Sequence, residues 1–159
     1  MLPMSELTVE EIKDYLLKEL KAEFSVNEQV NCFKVSKDNY WKAAKYLQEQ
    51  KFQRMLTISA IDWIEKDLFS VYFIVHKFPE NIYVKVETEI PRTEPKITSI
   101  HELWPTAGLK ERETWEMFQI TFEGNDDLRP LFLEEEPEIA PFRKEFDWRE
   151  FYKASLTEK

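Results

Sequence analysis

Few residues in this chain carry chemical potential, and their spacing limits what they could do. Glu111 and Glu113 flank Arg112; His76 and His101 are the two histidines; Cys32 is the one cysteine. Hydrolysis by paired carboxylates needs the two groups on opposite sides of one bond. Side chains two apart on a helix point in different directions, so Glu111 and Glu113 do not meet that need. An i,i+4 contact of Arg112 with Glu116 is the simpler expectation. Glu134-Glu135-Glu136-Pro137-Glu138 lacks the Asp/Asn/Gly spacing of a calcium loop and reads as a solvated acidic stretch. His76 shares a strand face with Tyr72 and Ile74, the place of a packed or edge histidine. His101 has no cysteine or second histidine near it in sequence, so no closed transition-metal site is read. Cys32 can form no internal disulfide or iron–sulfur site and reads as a small buried hydrophobe. No Ser–His–Asp or Cys–His set can be assembled. Gly108 and Gly124 are the only glycines, too few for a glycine-rich phosphate loop. No catalytic, cofactor-binding or metal-binding residue is expected.

Composition narrows the field further. The 159 residues suit one domain with a tail, and 43% hydrophobic with 14% aromatic content is enough to bury a core. A net charge of -9 and a pI near 4.9 disfavour a nucleic-acid partner. Residues 1–6 lack a basic stretch followed by an apolar one, so no signal peptide is read. The longest apolar run, residues 69–75 with one serine, is far short of the roughly 20 residues that span a bilayer.

The elements follow from periodicity. Thr8-Val9-Glu10-Glu11 has capping-box spacing, and Val9, Ile12, Leu16 and Leu20 recur at helical intervals, with an end near residues 22–25. A short strand comes next at 30–35, then a helix over 39–50 capped by Ser36 or Asp38, with Tyr40, Ala43, Ala44 and Leu47 inward. Residues 55–61 read as a strand covered on both faces, 62–67 as a hairpin connection, and 68–77 as the next strand. Residues 82–90 alternate cleanly, Ile82, Val84, Val86, Thr88 and Ile90 against Tyr83, Lys85, Glu87 and Glu89. A short helix at 98–104 and a longer one at 109–120 complete the core. Beyond Gly124 the prolines Pro130, Pro137 and Pro141 alternate with the aromatics Phe132, Phe142, Phe146, Trp148, Phe151 and Tyr152, too little periodicity for a core of its own. The expected fold is α/β of the α+β kind: a two-layer sandwich of a mostly antiparallel sheet with helices, residues 1–122, and an extended C-terminal arm, residues 123–159, packing on partner subunits.

On the helix at 109–120, Trp115 and Phe118 stand one turn from Glu111 and Arg112. Charge beside bulky aromatics suits a helix that docks on a partner, the charges fixing register and the rings anchoring. An ordinary amphipathic helix is the competing expectation. This stretch resembles a known signature. Glu111-Arg112-Glu113-Thr114-Trp115-Glu116-Met117-Phe118, then Ile120-Thr121-Phe122-Glu123-Gly124 and Asp127-Leu128-Arg129, is similar to the E-R-E-x-x-D-x-[FM]-G-[IV]-x-F-x-G-H-P-D-L-x-R pattern of the thirty-kilodalton subunit family of respiratory complex I. Ile97-Thr98-Ser99-Ile100, Leu103-Trp104-Pro105 and Pro141-Phe142-Arg143-Lys144-Glu145 extend the resemblance. Residues 56–63 resemble the family's strand that ends with an aspartate and an aromatic, here Asp62 and Trp63. Gln119 stands where the pattern has glycine, and Asn125-Asp126 where it has His-Pro. Pro130 stands at or beside the final arginine. These departures resemble the shorter archaeal homologues in membrane-bound hydrogenases and sulfur-reducing complexes.

The resemblance implies a structural subunit in the peripheral arm of a complex I-related membrane-bound oxidoreductase, either ferredoxin-linked or of the NADH/quinone type. It implies no cofactor in this chain, with iron–sulfur clusters and a nickel–iron centre belonging to partner subunits. The implied partners are the large hydrogenase-like catalytic subunit and the iron–sulfur subunits, at the cytoplasmic face of the membrane. Glu111, Arg112, Glu113, Trp115, Met117, Phe118, Phe122, Gly124, Asp127, Leu128, Arg129 and Arg143 are the signature and interface positions it implies. Gly124 is expected at a positive φ, and Arg112 and Arg129 in bidentate carboxylate contacts. A free-standing adaptor that binds a soluble partner through its aromatic arm is the rival expectation.

Overall fold

Thr8 opens the first helix with the expected capping box: Glu11 N donates to the Thr8 hydroxyl, and Thr8 N donates to the Glu11 carboxylate. The structure is a computed structural model that describes residues 8–134 and 137–157; the expectations placed on residues 1–6, Glu135 and Glu136 lie outside the described residues. Helix α1, Val9–Glu19, buries Ile12 and Leu16, and α2, Lys37–Glu49, buries Tyr40, Ala43, Ala44 and Leu47, the stripe its spacing predicts. Ser36 takes the N-cap position of α2 but its side chain makes no capping bond.

Strands β1 (Glu23–Asn27), β2 (Val30–Lys34), β3 (Arg54–Trp63), β4 (Leu68–Lys77) and β5 (Ile82–Pro91) form one sheet in the order β1-β2-β5-β4-β3. All pairs are antiparallel except β2 with β5. The register sets Phe33 against Val86, Phe73 against Val86 and Ile58 against Phe73, so Phe33, Val86, Phe73 and Ile58 share one face. That face is fully buried, and Tyr40 of α2 meets the Phe73 ring edge-on. Burying each such side chain contributes about 1.5–3 kcal/mol, which is what fixes the register. The other face, Tyr72, Lys85, Glu87 and Glu89 among others, is half-buried. The α+β expectation therefore holds, with a five-stranded, mostly antiparallel sheet.

The structure corrects four local expectations. Residues 55–61 are not covered on both faces: β3 is an edge strand, with Ile58, Ala60 and Asp62 buried in alternation with half-buried neighbours, and its register shifts around Leu56. Strand β1 is an addition, because it has only one half-buried residue, Phe24, to mark it in the sequence. Residues 98–104 are not a helix. Ile97, Ile100 and Leu103 have helical spacing, but Lys96–Thr98 forms β6, parallel to β7 (Thr121–Glu123), and a turn comes after it. The Trp104 indole N–H there donates to the Phe52 carbonyl at 2.7 Å. The third long helix, α3, runs Ala107–Phe118, and the C-terminal arm is not extended throughout: it carries a further helix, α4, Trp148–Thr157. Asp147 starts it by accepting from Arg149 N at 2.8 Å, yet none of its residues is buried.

Candidate functional site

Helix α3 carries the signature, and its placement decides what the signature does. Ala107, Glu111, Thr114 and Phe118 recur at helical spacing and are all buried, so this face lies against the core. Thr114 donates to the Lys110 carbonyl at 2.9 Å and lies 3.2 Å from that of Ile58, which seats the helix along the edge strand β3.

Glu111 has no exposure to solvent. Its carboxylate accepts from Ser99 Oγ (2.6 Å), Ile100 N (2.8 Å) and Asn125 Nδ2 (2.9 Å). Burial raises its pKa above the usual carboxylate value, and these three donors oppose the shift. The carboxylate thereby joins the turn after β6 to the turn after β7. Gly124, between β7 and Asn125, has φ +97, as expected. A Cβ there would lie 3.9 Å from Ser99 Cβ, so the backbone angle and not crowding requires glycine.

Arg112, Glu116 and Arg143 hold the chain's own C-terminal segment. Arg112 does not meet carboxylates: its Nε donates to the Arg129 carbonyl at 2.7 Å and its Nη2 to that of Pro130. Nor does it pair with Glu116, whose carboxylate accepts from the backbone N–H of Leu131, Phe132 and Leu133 at 2.8–3.1 Å. Among the described residues the Arg129 side chain makes a single exposed ion pair, Nε to Asp127 Oδ1 at 2.8 Å, not a bidentate one. The physical reason is shared: after β7 the chain runs without a ladder beside α3, and its free carbonyl and N–H groups take the helix's charges as partners. Arg143 donates to the Phe118 carbonyl at 2.8 Å with its guanidinium 5.1 Å from the Phe69 ring centre, and burial lowers its pKa.

One buried set has no chemical signal in the sequence. Asp62, at the end of β3, accepts from Arg92 Nε (2.7 Å), Arg92 Nη2 (3.0 Å) and Lys144 N (2.8 Å), and Arg92 also reaches Glu145. Only the likeness of residues 56–63 to a strand of the family singles Asp62 out. Together these contacts strap residues 129–133 and 142–145 across α3 and the sheet end, with Phe142 edge-on to Phe118.

Among the other signature positions, Phe122 is buried, Trp115, Met117 and Leu128 are half-buried, and the one ion pair of Glu113 among the described residues is with Lys110, at 4.0 Å. The helix face bearing Glu111 and Phe118 is thus turned inward rather than offered to a partner.

Ser99 lies between Glu111 and His101, but this is not the order of a nucleophilic triad, which needs the imidazole in the middle. Among the described residues no group of three His, Cys, Asp or Glu side chains stands together as metal ligands, and no helix is long and apolar enough to cross a membrane. His76 is buried, with Nε2 2.9 Å from Asn81 Oδ1 and its ring packed on Tyr83.

A small α+β domain whose signature carboxylates and guanidiniums strap its own C-terminal segment is the class that the fold and site define. The chain belongs to the family of the 30 kDa subunit of respiratory-chain NADH dehydrogenase, which matches residues 33–152. Members of this family are subunits of complex I-related oxidoreductase complexes. It is 32% identical over 141 residues to the C/D 2 subunit of the NADH-quinone oxidoreductase of Aquifex aeolicus, covering 87% of this chain and 23% of that protein. It is 25% identical over 115 residues to a subunit of the F420H2 dehydrogenase of Methanosarcina mazei, covering 71% and 73%. Among solved structures, it is similar to a chain of the membrane-bound sulfane sulfur reductase, an archaeal respiratory membrane complex. That match has a TM-score of 0.81 and 26% identity over 93% of this chain and 90% of the other. The chain spans 23% and 39% of the length of two curated relatives it matches.

Proposed function

We propose that this chain is a non-catalytic structural subunit of the peripheral arm of a complex I-related membrane-bound oxidoreductase, bracing the large catalytic subunit at the cytoplasmic face. It carries no cofactor of its own; the iron–sulfur clusters and any nickel–iron centre belong to its partners. The observation that carries this reading is the end-to-end likeness, 93% of one chain against 90% of the other, to a chain of a respiratory membrane complex. The use of Glu111, Arg112 and Glu116 to fix the chain's own turns and strap supports it, because a brace requires a rigid shape and no reactive group. Helix α4 supports it too: Trp148, Tyr152 and Leu156 stand four apart and are more than half exposed, as in a segment that lies along a neighbour.

The test is a mild-detergent pull-down of the tagged chain from native membranes, followed by mass spectrometry. Recovery of a hydrogenase-like large subunit with iron–sulfur proteins is expected. Recovery of the chain alone, or from the soluble fraction only, would replace this reading with the adaptor.

A further inference from the structure

The proton inventory around Ser99 selects which ring nitrogen of a neutral His101 carries the proton. Asn125 Oδ1 accepts from Asp127 N at 3.0 Å, so its Nδ2 must be the atom that donates to Glu111. With Glu111 ionised, the single hydroxyl proton of Ser99 goes to the carboxylate at 2.6 Å. The hydroxyl oxygen then has only lone pairs left. One meets His101 N at 3.2 Å, and the other faces His101 Nδ1 at 2.7 Å. Two acceptors cannot share that second contact, so Nδ1 must carry a proton, and in the neutral ring that leaves Nε2 as the lone-pair nitrogen.

His101 lines an open groove of about 480 Å³, whose walls also include Leu109, Arg112, Gly124, Asp126 and Asp127. The charges in the groove are unevenly used. Arg112 is turned to two backbone carbonyls, and Asp127 is paired with Arg129. Asp126 is exposed and has no ion-pair partner within 4.0 Å among the described residues. With the His101 ring neutral, the groove is lined by a lone-pair acceptor and an unpaired carboxylate, in a chain of net charge -9.

We propose that this groove is a docking point for a cationic side chain, lysine or arginine, of a partner protein. In it Asp126 supplies the charge, and His101 is a hydrogen-bond acceptor whose tautomer Glu111 sets through the Ser99 hydroxyl. The inference rests on the reading of the chain as a complex subunit, while its first test needs only the isolated chain.

That first test is nitrogen-15 NMR of the two imidazoles at pH 8. His101 is expected with Nδ1 protonated and Nε2 bare. In Glu111→Gln the amide replaces the acceptor, the hydroxyl turns toward His101, and the proton moves to Nε2. Ser99→Ala gives a mixture of tautomers. An Nε2–H tautomer in the unaltered chain, or no change in Glu111→Gln while its spectrum stays folded, overturns the assignment. The second test is carbethoxylation of His101 by diethyl pyrocarbonate, with His76 buried and silent. The site is expected to react at least tenfold more slowly in the complex purified from membranes than in the free chain. Asp126→Lys is expected to lower recovery of the chain in the complex at least tenfold and to leave the His101 tautomer unchanged. Equal reactivity in both forms, or normal recovery of Asp126→Lys, refutes the docking point. A chain never found in any complex refutes the function proposal instead, and the tautomer result stands apart from it.

Discussion

Replacing Glu116 with alanine should loosen the C-terminal strap at a defined place. Its carboxylate holds the N–H groups of Leu131, Phe132 and Leu133, and no backbone ladder holds them instead. A hydrogen bond to a charged group contributes about 1.5–3 kcal/mol, so three independent bonds would sum to roughly 4.5–9 kcal/mol. Two features reduce that figure. The Leu131 and Leu133 N–H groups share Oε1 while that of Phe132 is split between both oxygens, so the bonds are not independent, and Phe132 is exposed, so water can take its N–H. A loss of about 2–4 kcal/mol in the local opening free energy is expected. Because about 1.4 kcal/mol is a factor of ten, the amides of residues 131–133 should exchange with deuterium between about thirtyfold and several hundredfold faster. The global urea midpoint should fall less, since the strap can open while the sheet remains intact. Glu113→Ala, one turn away and ion-paired with Lys110, is the control and should leave those amides unchanged. Unchanged exchange in Glu116→Ala, or equal acceleration in the control, would refute the reasoning.

Three further outcomes rest on the same set of contacts. Gln119 closes α3 at φ 58 and ψ 40, where the family pattern has glycine. Gln119→Gly relieves about 1–2 kcal/mol of left-handed strain and costs about 0.5–1 kcal/mol of chain entropy, so the urea midpoint should rise; a clear fall would contradict the account. Asp62→Ala strips Arg92 and Lys144 N of their shared acceptor and should lower stability by about 2–4 kcal/mol, less than for an isolated buried pair because Arg92 keeps Glu145; a change under about 1 kcal/mol in urea unfolding would contradict it. Glu111 has its pKa raised by burial, so the folded state holds that proton more tightly than the unfolded chain does. Its contribution is full below the unfolded carboxylate pKa and is lost as pH rises through the raised folded value. The stability difference between Glu111→Gln and the unaltered chain, measured by urea unfolding, should therefore shift in favour of glutamine as pH rises through that window. A shift in the opposite direction would show that the three hydrogen bonds outweigh burial.

Much of the architecture is set by local order in the chain. The Thr8 box, the Tyr40–Leu47 stripe and the alternation from Ile82 to Ile90 each lie within one element, and each folds as its spacing dictates. The family too is legible, because its signature is a continuous run from Glu111 to Arg129. What lies beyond local order is the use of that signature. Glu111 is an ordinary helix glutamate until the turns after β6 and β7 bring Ser99, Ile100 and Asn125 to it. Asp62 is separated from Arg92 by 30 residues and from Lys144 by 82, and only the sheet end and the strap make them neighbours. The short strands β6 and β7 exist only as a pair, since neither has enough residues to reveal a period. Periodicity reports which side of an element is buried, because that depends on the element alone. Which donor meets which buried charge depends on how distant elements pack, and that only the tertiary structure decides.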